Sequence, residues 1–399
     1  MRIAGIIAEY DPFHKGHAAH IAATRAENGG NATHIVTVIS GQFTQRGEPA
    51  LTSKYHRAEM ALANGADLVL ELPTPWAMAP AENFAAGGVA ILRALGCVDM
   101  LSFGSECGNV TALQQLANLP NAPDYQNTLR RILATGVPYA AAGQMAAAEL
   151  LGEEAAAILA TPNNTLAIEY IRAAQLQGAS FGFYTLQRQG ALHNENAPNQ
   201  GFAAASMIRR CIRNREMEQA LEYVTASTAD ILLHANQGGK LAVSPERLEG
   251  ALLAHLRKME ESDFVQLPWL SEGIENRLYR ASRLASDYTA LLNEAKTRRY
   301  PMARLRRVLW SALIGITADD VTGLPPYIRV LGMNQRGREI LSVATPALPI
   351  ITRSAQFKES EERIRRIFTL ECNATDLHAL CMAQPEPCGT DHTQKMIVK

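Results

Sequence analysis

Short apolar runs alternate with helix-forming stretches over the first 105 residues. Arg2 to Ala8 is a compact apolar run, followed by a polar turn and an alanine-rich stretch from His17 to Glu27 that predicts a helix. His34 to Ser40 (HIVTVIS) is β-branched and lies between the Gly29–Gly30 pair and Gly41. Tyr55 to Asn64 predicts a helix, Asp67 to Leu72 (DLVLEL) a strand, Ala81 to Leu95 another helix, and Asp99 to Phe103 a fourth strand ended by Gly104. Strands alternating with helices at this spacing imply βαβ units and a parallel sheet. The strands are apolar nearly throughout, which fits a sheet covered on both faces. Residues 110 to 180 read as mostly helical with a break at Pro162–Asn163–Asn164, and Ser180 to Leu186 as a last strand before a polar loop from Gln187 to Gln200. After Ala203 the β signal fades, and residues 206 to 320 show helical periodicity. A boundary is expected near residue 215, giving an α/β domain over 1–215 and a mostly α-helical domain over 216–399.

Composition adds mainly exclusions. An apolar share of 47% with 19% charged residues is ordinary for a folded globular chain. Formal net charge is -1, so no global basic field marks a nucleic-acid binder, although basic residues cluster locally. No apolar run reaches the roughly 20 residues that span a bilayer, so no membrane association is expected. Met1 to Ala8 runs straight into a polar turn, unlike a signal peptide. Six irregularly spaced cysteines suit reduced thiols and a cytoplasmic location. Cys372, His378, Cys381, Cys388 and His392 match no usual zinc spacing and read as free thiols and a loose tail. No motif sets an oligomeric state.

The strongest local signal is Glu9-Tyr10-Asp11-Pro12-Phe13-His14-Lys15-Gly16-His17, between the first strand and the first helix. In a parallel sheet that edge is where ligands bind. A helix N-terminus there offers unpaired N–H groups and a positive dipole end to an anion. His14 and His17, three residues apart, can face one phosphate, and Gly16 lets the backbone approach closely. Attack on the α-phosphate of ATP needs such preorganised donors for the phosphoryl oxygens and the departing pyrophosphate. No Walker loop and no glycine-rich dinucleotide fingerprint is present. Helix capping alone, or zinc binding by His14 and His17, are the competing readings of the tetrapeptide.

HxGH at this position resembles the signature of the nucleotidyltransferase superfamily. Ala205-Ser206-Met207-Ile208-Arg209 is similar to its second motif, Ser-Thr-x-Ile-Arg, keeping the hydroxyl of Ser206 and the guanidinium of Arg209. EYDPFHKGH, GQFTQRGEPA (Gly41 to Ala50), RAEMALANGADLVLELP (Arg57 to Pro73), FGSE (Phe103 to Glu106), PNN…IEY (Pro162 to Tyr170) and RVLG (Arg329 to Gly332) recur in this order in one family. By these blocks the chain resembles the bacterial tRNA(Met) cytidine acetate ligases over nearly its whole length. The resemblance implies a Rossmann-like nucleotidyltransferase domain and a two-step reaction. Acetate and ATP would give acetyl-adenylate, and the wobble cytidine of elongator tRNA(Met) would take the acetyl group. His14, His17 and Lys15 are the expected catalytic residues. The ATP contacts carried over are Ile7, Ala8, Glu9, Tyr10, Asp11, Pro12, Phe13, His14, Lys15, Gly16, His17, Ala18, Ala19 and His20. Gly104, Asn163 (or Asn164 if the register slips), Arg188, Ser206 and Arg209 complete the set. Asp11 stands where the family usually has asparagine, and Gln42 replaces another asparagine. A carboxylate beside polyphosphate repels unless Lys15 or Mg²⁺ bridges them.

For the tRNA, Lys296, Arg298 and Arg299 flank Tyr300, Arg304, Arg306 and Arg307 follow, and Arg336 and Arg338 are expected in a glycine-containing loop. Arginine interleaved with tyrosine can pair with phosphates and stack on bases, although a charge run is commonly a solvated face. Some of Gln42, Gln45, Arg46 and Glu48 are expected to face the acceptor site, with Lys54 as a further candidate, and Asp67 and Glu71 to be buried partners of Arg57. Two alternatives stay open: an adenylyltransferase or ligase for a small acid or nucleotide, and a non-catalytic RNA-binding protein with a vestigial nucleotide site. A class I synthetase is disfavoured by the lack of a KMSKS-like segment.

Overall fold

The computed structural model of the chain describes residues 1–26, 28–137, 139–188 and 201–399. Glu27, at the end of the first expected helix, and the expected polar loop from residue 189 onward lie outside the described residues. Strands β1 (Ile3–Ala8), β2 (His34–Ser40), β3 (Leu68–Leu72), β4 (Met100–Ser105) and β5 (Gly182–Gln187) run parallel in the order β5-β4-β1-β2-β3. Every residue of β2 and β3 is buried, as a doubly covered parallel sheet requires. Side chains alternate between two cores: Val36, Val38, Leu68 and Leu70 face one, Ile35, Ile39 and Val69 the other.

The connecting helices are α1 (Lys15–Arg25), α2 (Lys54–Ala63), α3 (Ala81–Leu95) and α4 (Pro162–Leu176), with α5 (Ala205–Arg213) following β5. Pro162 opens α4 rather than breaking a helix, since a first-turn proline lacks only an N–H that would go unpaired anyway. Helices Glu249–Lys258, Ile274–Leu284, Tyr288–Ala295 and α6 (Met302–Ile314) enclose a core of their own around Leu256, Leu278, Leu291 and Leu305.

The fading β signal after Ala203 predicts none of the three remaining strands. β6 (Ile328–Met333) lies antiparallel beside β3, with Glu71 opposite Arg329, and β7 (Ile350–Ile351) and β8 (Ile397–Val398) pair with β6. β6 carries an arginine and a glycine within its six residues, and β7 and β8 span two each, too short to show a period. The segments expected to divide near residue 215 therefore share one sheet.

A buried charge network joins them. Lys54 Nζ on α2 lies 2.5 Å from Glu71 Oε1 and 2.8 Å from Asp391 Oδ1, and Arg329 Nη1 lies 3.0 Å from Glu71 Oε2 and 2.7 Å from Asp391 Oδ1. Tyr55 donates its hydroxyl to Asp391 at 2.7 Å, and Thr375, on helix α7 (Glu362–Leu380), donates to it as well. Glu371 of α7 accepts the Thr74 N–H and sits 3.9 Å from Lys54 Nζ. Lys54 is thus a core residue and not an acceptor-side cation. The expected pairing of Asp67 and Glu71 with Arg57 is also corrected. Asp67 pairs with Arg25 at 2.6 Å, while Arg57 donates to the carbonyls of Glu9 and Ser40.

Burial, with Glu71 close by, pushes the Glu371 carboxyl up to about 8. Burial would raise Asp391 too, but Arg329 and Lys54 hold it well below the usual carboxylate range. Two cations face three carboxyl groups, and the raised Glu371 carboxyl favours its protonated form there. A carboxyl raised in the folded state contributes stability below its unfolded value, and that contribution is lost as pH rises toward the folded value. Between pH 5 and 8, Glu371→Gln should therefore gain on the parent chain by on the order of 1–3 kcal/mol in urea denaturation. The same stability difference at both pH values would contradict the assignment.

Candidate active site

The C-terminal end of β1 is a topological switch point, because the chain leaves for β2 on one side while β4 lies on the other. A cavity of about 590 Å³ opens there, the size of a small-molecule site. Its wall runs from Gln45 and Arg46 beyond β2, across Ile7 to Asp11 and the first turn of α1, to Gly104, Leu186 and Arg188 at the ends of β4 and β5.

The first turn of α1 is capped by imidazoles. His14 is the N-cap, with φ -138° and ψ 174°, and its Nδ1 accepts the Gly16 N–H at 3.0 Å. His17 Nδ1 accepts the His14 N–H at 3.2 Å, so the two rings form a reciprocal capping box. They stack at 3.7 Å with planes 24° apart. A Cβ on Gly16 would lie 2.9 Å from His14 Cε1, so glycine here lets the His14 ring fold back over its own turn. A neutral ring whose Nδ1 accepts carries its proton on Nε2. Both rings line the cavity, and Nε2–H is the donor each has left to offer a ligand.

Surroundings keep these rings neutral. Burial, reinforced by the charges of Arg188 and Arg209, lowers His14 to about 3. Burial, then His14 and Arg188, lowers His17 well below the ordinary histidine value. His20, lowered to about 4 by burial and Arg188, bonds Ser102 Oγ through Nε2 at 2.8 Å.

Asp11 does not confront the cavity with a bare charge. Its Oδ1 accepts the Leu51 N–H at 2.7 Å, and its Oδ2 lies 3.5 Å from Arg209 Nη1, which donates to the Asp11 carbonyl at 2.5 Å. Arg209, four residues along α5 from Ala205, and Ser206 both line the wall. Glu9 Oε1 accepts the Gln45 N–H at 2.6 Å, and burial raises its carboxyl, with Asp11 adding to the effect.

The two amides of the PNN motif separate cleanly. Asn163 lines the cavity and donates Nδ2 to Glu106 Oε1 at 2.7 Å. Asn164 is buried, and its Oδ1 accepts the N–H groups of Glu106 and Cys107. Gly104 and Arg188 also line the cavity.

Several expected contacts lie elsewhere. Lys15 donates Nζ to the Glu222 carbonyl at 2.6 Å and is not on the cavity wall, because one residue along a helix turns the side chain by roughly 100° from His14. It does not bridge Asp11. Phe13 is fully buried against Tyr10 and His17, and Pro12 and Ala18 are likewise off the wall. Ile7, Ala8, Tyr10, Ala19 and His20 are on it. Sequence reasoning missed Ala81 and Phe84 of α3 and Leu166 and Tyr170 of α4. Their apolar side chains at helical spacing read as core, and only the position of the two helix N-termini at the sheet edge could have marked them.

Tyr300 is buried, with its hydroxyl on the Glu272 carbonyl at 2.5 Å, and is no stacking platform. Arg304 bonds the Trp269 carbonyl, Arg306 pairs with Glu48, and Arg307 donates to the Gln45 carbonyl. Lys296, Arg298 and Arg299 stay exposed, as do Arg336 and Arg338, which lie on helix Gln335–Val343 and not in the expected loop. Cys372 Sγ lies 3.5 Å from His392 Nε2, and His378 bonds the Ala50 carbonyl in the core. Among the described residues no group of three or more His, Cys, Asp or Glu side chains converges as a metal centre, and no helix is long and apolar enough to cross a membrane.

The profile of the HIGH Nucleotidyl Transferase family matches residues 1–393. The tRNA(Met) cytidine acetate ligase of Thermoanaerobacter sp. is 35% identical, covering 100% of both chains. That of Syntrophotalea carbinolica is 40% identical over 88% of this chain and 85% of its own. Among solved structures, Thermotoga maritima TmcAL without ligand superposes with a TM-score of 0.93 at 30% identity, covering 100% of this chain and 99% of that one. The same protein bound with alpha-thio ATP gives a TM-score of 0.92 with the same identity and coverage.

Nitrogen-detected histidine spectra of the free protein at pH 6 should show His14 and His17 neutral, with the proton on Nε2. An Nδ1–H tautomer or an imidazolium at either position would contradict the capping geometry.

Proposed function

The chain belongs to the tRNA(Met) cytidine acetate ligase family of the HIGH nucleotidyl transferases, and we propose that it acetylates N4 of the wobble cytidine of elongator tRNA(Met), with ATP as the activating substrate. The observation that carries this reading is the pair of neutral imidazoles stacked at the N-terminus of α1, each with Nδ1 on the backbone and Nε2–H left for the cavity.

A carboxylate oxygen of acetate attacks the α-phosphorus as the bond to pyrophosphate breaks, giving acetyl-adenylate. The N4 amine then attacks the acetyl carbonyl, loses a proton, and AMP leaves. In the first step His14 and His17 donate through Nε2–H to phosphate oxygens, in a site partly shielded from water where such donors count for most. The N–H groups of α1 add their dipole, and Arg209 and Arg188 add fixed positive charge. Arg209 is oriented by its bond to the Asp11 carbonyl. Gly104 and Asn163 form the end of the cavity that suits the adenine and ribose, and Ser206 flanks the phosphates beside Arg209.

Mg²⁺ fits this donor set as an ion that arrives with the nucleotide. Asp11 and Glu9 line the wall, but Glu9 gives one oxygen to a backbone N–H, and Asp11 gives one to a backbone N–H and turns the other toward Arg209, which suits a cation held mainly by phosphate oxygens and water. When bound, it neutralises charge on the polyphosphate. Exposed Arg298, Arg299, Arg336 and Arg338 can meet tRNA phosphates. The cytoplasm, where ATP, acetate and tRNA meet, also suits six cysteines that form no disulfide.

The test is a reaction of the purified protein with ATP, Mg²⁺ and radiolabelled acetate, with and without bacterial tRNA. Label should appear on cytidine after digestion of the tRNA, and His17→Ala should reduce it by about 100- to 1,000-fold. Adenylate formation with no label in tRNA would point to a different acceptor. Loss of activity in His17→Ala that merely tracks lost thermal stability would leave His17 as a cap only.

A further inference from the structure

The segment from Thr44 to Pro49, just beyond β2, touches the cavity on one side and the C-terminal helices on the other. On the inner side, Gln45 N–H holds Glu9 Oε1 at 2.6 Å, and Gln45 and Arg46 form the cavity wall. On the outer side, Arg307 of α6 donates Nη1 to the Gln45 carbonyl at 3.0 Å, and Arg306 pairs with Glu48. Gly47 sits between them at φ +69°, where a Cβ would lie 2.4 Å from the Arg307 backbone nitrogen. The loop is closed on itself by Thr44 N–H to the Glu48 carbonyl and by the bridge between Phe43 and Pro49. Phe43 packs on Trp310, one turn further along α6.

Arg307 is an unusual tether. Among the described residues no carboxylate pairs with it, and its Nε has no partner. Burial, and Arg304 nearby, lower it to about 10. Among the described residues its guanidinium donates to one backbone carbonyl, that of Gln45 in the loop. α6 belongs to the same helical unit that displays Lys296, Arg298 and Arg299, and shares its apolar core.

We propose that Arg306 and Arg307 are positioning residues that couple the RNA-facing helical unit to the acid end of the cavity through the Thr44–Pro49 loop. This rests on the function proposed above, which places the nucleotide base toward Gly104 and Asn163. With the α-phosphate at His14 and His17 and the pyrophosphate leaving beside Ser206 and Arg209, in-line attack brings the acid from the side away from them, toward Gln45 and Arg46. The loop sets the position of that wall, and α6 sets the position of the loop. RNA bound to the helical unit thereby registers the acid end of the site.

The experiment measures acetate-dependent ATP–pyrophosphate exchange, with and without tRNA, for the parent protein, Arg307→Ala, Arg307→Lys and Gly47→Ala. Misplacing a substrate-positioning wall by about 1 Å can cost up to about 100-fold. Arg307→Ala and Gly47→Ala should raise KM for acetate by about 10-fold or more, leave KM for ATP within about 2-fold, and abolish any effect of tRNA on the acetate KM. Arg307→Lys, which keeps a donor for the Gln45 carbonyl, should restore most of the loss. Should Arg307→Ala fail to fold, Gly47→Ala and Arg307→Lys give the same comparison. Unchanged acetate KM and unchanged tRNA response in these variants would overturn the coupling. So would equal rises in both KM values in step with lower thermal stability. No exchange in the parent protein would instead refute the proposed function itself.

Discussion

A helix N-terminus leaves its first N–H groups without partners, and at a ligand site those groups must be held in place before the ligand arrives. In α1 the side chains that hold them are also the donors that face the cavity. His14 Nδ1 takes the Gly16 N–H and His17 Nδ1 takes the His14 N–H. That double use fixes the tautomer, the stacking of the rings and the need for glycine at position 16. Burial and nearby charge depress both imidazoles, and the remaining donor survives that. A neutral Nε2–H still donates, and it costs far less to bury than an imidazolium.

The frame around that turn is assembled from distant parts of the chain. α5 delivers Arg209 to Asp11 across 198 residues, and the loop beyond β2 brings Gln45 to Glu9. Behind the sheet, Lys54, Glu71, Arg329, Asp391 and Glu371 join α2, β3, β6, the short helix Thr390–Thr393 and α7. Buried ion clusters contribute less to net stability than their Coulomb energy suggests, yet losing one member is costly. Here the cluster specifies that the C-terminal segment returns to the sheet edge at one register, with Glu71 opposite Arg329.

Legibility in the sequence followed the range of the interactions. β2 and α3 were readable to the residue, because a β-branched run between glycines and a helical stretch opened by Pro80 carry local signals. The HKGH turn was readable because strand, turn and helix N-terminus are contiguous. Lys54 was not: from the chain it is a lysine near a ligand edge, and its partner Asp391 lies 337 residues away. The choice between Asn163 and Asn164 was equally closed, since it is made by Glu106 on another element. Asp11 looked like a repulsive departure from the family pattern until Leu51 and Arg209 were placed around it. β6 is not legible as a strand, because its place beside β3 depends on the buried network.

In the mechanism proposed, the β1–α1 turn serves attack of a carboxylate on the α-phosphate of ATP. The most direct measurement is ATP–pyrophosphate exchange in the absence of tRNA, with acetate present or omitted. Exchange that requires acetate, and that falls by about 100-fold or more in His14→Ala while the protein stays folded, is the expected result. Exchange independent of any carboxylic acid, or undiminished in His14→Ala, would contradict the account.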